Sequence, residues 1–457
     1  MSKAIAIVIC NWNKKDDVLL CIESVLNSSY QDYDLYVVDN ASTDGSVQAI
    51  EEEYSNRVNI IVNDGNLGGS GGFNTGIKHV LQRGYKYIQL LDNDVIIDKE
   101  AINEAYLVME KHEEIGAVGA EIYLQKNPNK VFEFGSIIDW MKYDIDILPN
   151  RENKNVGVYG RDISECDYVP ACFAMIRTKV IQDIGVMDES CFIYWDDIEW
   201  FFRIQRKEYK VVCNSKSKVW HKAGASEIVN TFAIYYFWRN RINFFLRTID
   251  DNKLILFTDH LIKEISQAVF MSNLNEQPSI GRTILFALED AISKKRGRAP
   301  NGRIVERELR KDKLVSHLQD KHKIIIKSNG EMNLLRSILE KIKSISCDIE
   351  VNMYSQDKLA KSIKKEYPKI KLIDVEDLAL FQISLVSHIL EIDKKKSSNL
   401  YIDRYQHVIS EFEIYSIEKE YNKYTEIMKS IYKPVLLQRF KDWRVNHSLQ
   451  LKGMVNK

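Results

Sequence analysis

Apolar and polar positions alternate between two patterns over the first hundred residues. Ala4 to Cys10 is a nearly continuous apolar run, as in a strand buried on both faces. The loop Asn11-Trp12-Asn13 follows, then a helical pattern from Asp16 to Asn27. Tyr33 to Val38 reads as a second strand ending at Asp39-Asn40. Ser42-Thr43-Asp44-Gly45-Ser46 then supplies polar residues suited to capping the next helix. Val58 to Val62 is a third strand. A glycine-rich stretch, Asn66 to Gly76, runs into a helix ending near Arg83. Tyr87 to Leu91 is a fourth strand, and it stops at Asp92-Asn93-Asp94. Strands alternating with helices predict an α/β fold, a right-handed, doubly wound and mostly parallel sheet.

The pattern changes after residue 95. Lys99 to His112 reads as a helix; Ala117 to Tyr123, Val131 to Asp139 and Tyr168 to Thr178 read as strands. Mixed strands added to one edge of a parallel sheet build a second wall to its cleft. Lys210 to Cys213 is a further strand leading to Trp220-His221, and Thr231 to about Ile292 is helical. Lys294 to Arg303 is a basic break containing Gly and Pro, read as a solvated loop, with an anionic lipid head group as its functional reading. A new αβ pattern starts past residue 320, with strands at His322–Lys327, Asp348–Tyr354 and Ile370–Val375 and a helix at Glu331–Ile345. The expected domains are 1–230, a catalytic α/β unit; 231–318, a helical extension; and 319–457, a smaller α/β domain without a nameable motif. Lys433 to Lys457 mixes apolar and basic residues, as a helix does that lies on a membrane surface or packs on the body.

Composition narrows the chemistry. The 457 residues are 45% hydrophobic and 28% charged, with a net charge of -1. That balance suits a globular protein and offers no general attraction to nucleic acid. No run approaches the ~18 apolar residues of a membrane span, and Met1 to Cys10 turns polar too soon for a signal peptide. The expected place is the cytoplasm, with at most peripheral contact on the inner face of the membrane. The 7 cysteines form no C-x-x-C pair, so reduced thiols are expected and zinc is not.

Three groups of residues carry candidate chemistry. Asp92 and Asp94, two residues apart where a strand ends, can reach one hard cation; oxygen ligands suit Mg²⁺ or Mn²⁺. His221 follows a strand that can return to the same crevice, and a neutral imidazole would complete the set. Trp195-Asp196-Asp197-Ile198-Glu199-Trp200 places three acids beside aromatic faces, which suits sugar rings and their hydroxyls. The glycines of 68–76 allow backbone N–H groups close to a phosphate or base at a helix start. The first strand–helix loop has no G-x-G-x-x-G, and the chain has no G-x-x-x-x-G-K-[ST], which disfavours nicotinamide, flavin and P-loop folds.

In combination these motifs resemble the family 2 glycosyltransferases of GT-A fold, within them the galactofuranosyl- and rhamnosyltransferase branch. The resemblance covers roughly residues 4 to 245. It rests on Val38-Asp39-Asn40 with Ser42, Asp44 and Gly45; the 66–76 loop; Leu91-Asp92-Asn93-Asp94; Phe192 to Glu199; Trp220-His221-x-x-Gly224-x-Ser226; and Tyr235 to Arg241. It implies a metal-dependent, inverting transfer of sugar from a nucleoside-diphosphate donor, of UDP-galactofuranose or dTDP-rhamnose type, to a lipid-linked saccharide acceptor in surface polysaccharide synthesis. By the same resemblance, Asn11, Asn13 and Asp39 contact the nucleotide base and ribose, and Asn66, Gly68 and Asn74 shape the donor pocket. Asp92, Asp94 and His221 hold Mn²⁺ or Mg²⁺ on the diphosphate. Asp197 is the catalytic base, and Trp195, Asp196 and Glu199 position the acceptor. A homo-oligomer is compatible with this reading.

Other readings fit less well. A sugar nucleotidyltransferase needs a Gly-rich, Arg-containing loop where Asn11-Trp12-Asn13-Lys14 stands, and a processive synthase needs Q-x-x-R-W and a membrane span. The alternative from another class is a catalytically silent subunit that binds nucleotide sugar or a partner protein in a polysaccharide assembly complex. The intact set of Asp92, Asp94, Asp197 and His221 speaks against it.

Overall fold

A computed structural model describes residues 3–148, 162–222, 230–307, 313–346, 348–375, 379–388, 390, 392, 397–403 and 407–455. The chain divides into two compact units. The first comprises 1–260, 283–305 and 437–457, the second 261–282 and 306–436. These bounds group residues 231–260, 283–305 and 437–457 with the N-terminal sheet.

The first unit begins with β1 (Ile5–Asn11), α1 (Lys15–Leu26), β2 (Tyr33–Asp39), α2 (Ser46–Tyr54), β3 (Asn59–Val62), α3 (Gly68–Val80) and β4 (Tyr87–Asp92). There follow β5 (Val95–Ile97), α4 (Ala101–Lys111), β6 (Ile115–Leu124), β7 (Asn127–Glu133), β8 (Ser136–Asp139), β9 (Asp144–Ile147) and β10 (Ile163–Glu165). The unit continues with β11 (Phe173–Arg177), α5 (Thr178–Ile184), α6 (Asp196–Arg206), β12 (Lys210–His221) and α7 (Thr231–Thr248). The sheet order is β10-β12-β6-β11-β4-β1-β2-β3. Strands β3, β2, β1, β4, β6 and β12 point one way, and β11 and β10 oppose them. The fold is thus mixed α/β with a mostly parallel central sheet, as expected, with antiparallel β11 paired directly to β4.

β1 is apolar along its length because both faces are covered. Ile5, Ile7 and Ile9 sit in one core with Val18, Cys21 and Ile22 of α1, while Val8 meets α3 on the other face. Here the glycines take a different role from the one expected. They lie inside α3 and let that helix press onto the sheet: a Cβ on Gly76 would stand 2.4 Å from Val8 Cγ1. The 66–76 stretch is therefore a packing surface as much as a ligand loop.

The unit's later segments are held by aromatic packing. Helix α8 (Leu254–Leu274) brings Phe257 against Phe440 of the C-terminal helix, and Trp443 Nε1 donates to the carbonyl of Ala291 in α9 (Pro278–Ile292). Phe440 and Trp443 are buried, so the apolar side of 437–446 packs on the body. In the basic break, Arg296 reaches Asp188 at 2.6 Å, Arg303 reaches Glu289 at 2.6 Å, and Lys295 reaches Asp290 at 3.1 Å. These three cations are internal ties rather than a free anion-binding loop.

The second unit has its own sheet, in the order β15-β14-β13-β16-β17-β18. Its elements are α10 (Lys313–Leu318), β13 (Lys323–Lys327), α11 (Met332–Ile345), β14 (Glu350–Tyr354), α12 (Ala360–Glu366), β15 (Lys371–Ile373), β16 (Phe381–Val386), β17 (Leu400–Asp403), β18 (Val408–Ser410) and α13 (Glu411–Ile427). The last helix, α14 (Lys433–Val455), completes the described chain. All pairings from β15 to β17 are parallel and β18 is antiparallel. Among the described residues no helix is long and apolar enough to cross a membrane.

Candidate active site

The site lies beyond the carboxyl ends of β4, β1 and β2, where an open α/β sheet leaves a crevice. A row of amides and carboxylates crosses these three strand ends. Asn93 Nδ2 donates to Asn11 Oδ1 at 2.7 Å, and Asn11 Nδ2 donates to Asp39 Oδ2 at 2.9 Å. Asp39 Oδ1 accepts from the Ser42 N–H at 2.7 Å. Asn13 takes a left-handed backbone and accepts the Thr43 N–H, tying the first loop to the second. Asn11 and Asp39 are fully buried, so their first task is to hold the crevice floor in shape.

Strand β12 explains how a residue 127 positions away joins Asp94. It is longer than expected, shifts register between Asn214 and Lys218, and pairs at its end with β5, His221 opposite Val95. His221 Nε2 therefore lies 3.0 Å from Asp94 Oδ1 and 3.8 Å from Asp92 Oδ2. One ligand atom from each of Asp92, Asp94 and His221 falls within a 4.8 Å cluster. Two carboxylates and one imidazole at that spacing fit Mn²⁺ or Mg²⁺. Asp94 also pairs with Lys14 at 2.8 Å. Burial opposes the charged form of Asp94, but the His221 and Lys14 hydrogen bonds win and hold it below the usual carboxylate range. Enclosure pushes Asp92 up to about 6 against the pull of His221. Gly224 and Ser226, the last positions of the Trp-His motif, lie outside the described residues.

Asp196 and Asp197 open α6 across the crevice. Burial raises Asp196 to about 6, and its charge in turn acts on Asp92. Asp197 is raised well above the ordinary carboxylate range, first by burial, then by Asp196. It still accepts its neighbour's N–H, from Ile198 at 2.8 Å. An enclosed carboxylate with a raised affinity for protons is suited to taking one from a hydroxyl.

Several expected site residues sit elsewhere than their roles require. The Trp195 indole is 2% exposed and packs among Phe237, Phe244 and Phe245, so it is core and has no face for a sugar. Glu199 bonds Arg203 at 3.0 Å, and Arg203 in turn holds the carbonyls of Ile184 and Val186. Asn74 is buried and latches the backbone of Met187, donating at 2.9 Å and accepting at 3.0 Å. Gly68 has φ +78°, and a Cβ there would lie 2.0 Å from the Phe192 carbonyl oxygen. It lets helix α3 meet the 192–196 segment. Asn66 accepts the Gly68 N–H at 2.8 Å and so fixes that entry.

Three contributors were missed. Glu133, 5% exposed at the end of β7, is raised to about 7 by burial and acts electrostatically on Asp197. Tyr194 is exposed where Trp195 is not. Asn240, buried in α7, donates to the carbonyls of Cys191, Ile193 and Tyr194 at 2.9, 2.9 and 2.8 Å. Arg239 adds a bond to Cys191. The sequence signal for this clamp was the polar pair within an otherwise aromatic helix. Replacing Asn240 with Ala leaves the Ile193 and Tyr194 carbonyls without this donor. Asn240→Ala is expected to cost roughly 2–4 kcal/mol, seen as a lowered midpoint in urea at unchanged slope.

Residues 6–185 match the family model described as Glycosyl transferase family 2. The chain is 23% identical over 254 residues to the low-salt glycan biosynthesis hexosyltransferase Agl10 of Haloferax volcanii, covering 54% of this chain and 78% of that protein. It is 21% identical over 224 residues to the poly-beta-1,6-N-acetyl-D-glucosamine synthase of Staphylococcus epidermidis, covering 48% of this chain and 50% of that one. Among solved structures, S. aureus TarS superposes with a TM-score of 0.42 at 15% identity, over 75% of this chain and 53% of that one. That likeness is too low to carry any argument about activity. The match to Glycosyl transferase family 2 thus covers residues 6–185, which carry Asn11, Asp39, Asp92 and Asp94, while Asp197 and His221 lie beyond it.

Proposed function

We propose that the protein is a metal-dependent, inverting glycosyltransferase. It moves a sugar from a nucleoside-diphosphate donor, of UDP-galactofuranose or dTDP-rhamnose type, to a lipid-linked saccharide in surface polysaccharide synthesis at the inner face of the membrane. The observation that carries this reading is the convergence of Asp92, Asp94 and His221 within 4.8 Å of one another, with Asp196 acting electrostatically on Asp92.

Mn²⁺ or Mg²⁺ held by Asp92, Asp94 and His221 would supply Lewis-acid stabilisation of the leaving diphosphate. The Asn11–Asp39–Ser42 floor and the loop ordered by Asn13 receive the nucleoside. Asp196 orients sugar hydroxyls. Asp197 takes the proton from an acceptor hydroxyl as that oxygen bonds to the anomeric carbon and the bond to the diphosphate breaks. Attack from the face opposite the leaving group inverts the configuration. Product NMR tests this: the new linkage is expected to have the opposite anomeric configuration to the donor, and retention would exclude Asp197 as base of a single displacement.

A further inference from the structure

The segment between the two acid clusters holds unusual backbone. Phe192, Tyr194 and Trp195 have φ of 68°, 62° and 65°, a left-handed conformation that bulky residues rarely adopt. Such a conformation is strained and persists only where its surroundings enforce it. Here the enforcement is visible. The Asn240 amide and the Arg239 guanidinium grip carbonyls from 191 to 194, and Phe192 packs on Tyr236 and against Gly68.

The consequence is a division of labour between two adjacent rings. Trp195 turns inward and is 2% exposed, whereas Tyr194 is 41% exposed. Tyr194 stands two residues before Asp196, at the entry to α6, and its phenol is pushed up by burial and then by the charges of Asp196 and Asp92. Taking the glycosyl-transfer reading of the site as its basis, we infer that Tyr194 is the ring on which the transferred sugar of the donor rests, and that it helps select that sugar. The sugar is attached to the phosphate that the Asp92 cluster would hold, so it lies within one ring's reach of Asp92. A partly exposed aromatic face, fixed by a strained and clamped backbone, offers stacking to its C–H groups without an ordering cost on binding.

The test separates the sugar from the nucleotide. Calorimetry with Mn²⁺ present would measure UDP against UDP-galactofuranose and dTDP against dTDP-rhamnose, for wild type, Tyr194→Ala and Tyr194→Phe. For the pair that wild type binds, Tyr194→Ala is expected to weaken the nucleotide sugar about tenfold and to leave the free nucleotide within about twofold. Tyr194→Phe should keep wild-type values for both. An equal loss for nucleotide and nucleotide sugar would assign Tyr194 a purely structural role, and no loss for either would remove it from the site; both overturn the inference. Wild type binding neither pair would overturn the donor reading itself, and this inference with it.

Discussion

Asp197→Asn is expected to lower turnover by about 10²- to 10⁴-fold while leaving donor affinity unchanged, the loss usual for a positioned general base. The amide matches the carboxylate in shape and can still accept the Ile198 N–H, so the start of α6 should survive the change. It cannot take a proton. The enclosure that suits Asp197 to the proposed role of base also dictates a pH profile. Its proton affinity is raised by burial and by Asp196, so the protonated, inactive form persists above the pH at which an ordinary aspartate has ionised. Activity should therefore be present at high pH and lost as pH falls, with an acid limb above the usual carboxylate range of about 4. Glu133 and Asp196 face the same group, so Glu133→Gln should move that limb downward. A pH–rate profile unchanged in Asp197→Asn would remove the residue from the proton transfer.

Asp94→Ala is expected to abolish the metal dependence of donor binding, weakening the nucleotide sugar in Mn²⁺ by about 100-fold or more. Loss of a hydrogen-bonding partner behind a ligand already costs 10- to 100-fold in metal affinity, and loss of the ligand should cost at least that. Asp94 holds His221 at 3.0 Å and Lys14 at 2.8 Å, so its removal takes a hydrogen-bond acceptor from both. Asp94→Asn, whose amide oxygen can still accept from one of the two, should lose metal binding with a smaller effect on stability. Manganese paramagnetic resonance would read the metal affinity directly, and comparison of urea midpoints would separate the two effects. Equal metal affinity in wild type and Asp94→Ala would contradict the ligand assignment.

Much of this was legible in the order of residues because strand-end chemistry is local. The apolar run of β4 ending at Asp92 announces a crevice, and β1 announces itself by being apolar throughout. His221 was harder, since a bulge in β12 and its pairing with β5 bring it back to Asp94. Trp195 shows where sequence runs out. Motif position suggested a sugar platform, but a left-handed backbone turns that ring into the aromatic core and leaves Tyr194 outside. The family resemblance implies donor- or acceptor-facing roles for Asn74, Glu199 and Gly68. Their hydrogen bonds and close approaches build the support beneath the site. Glu133 gave no signal, because a lone glutamate in a polar strand looks solvated until the fold buries it.

The central claim is that the Asp92–Asp94–His221 cluster and Asp197 together carry out glycosyl transfer from a nucleoside-diphosphate sugar. Its most direct test is nucleotide release from UDP-galactofuranose, dTDP-rhamnose, UDP-galactose, UDP-glucose and UDP-N-acetylglucosamine, each with Mn²⁺, with Mg²⁺ and with chelator. Release from one donor that stops with chelator and falls at least about 100-fold in Asp197→Asn is the predicted result. Calorimetric binding of no donor in the panel, together with no release, would contradict the account and favour a catalytically silent subunit.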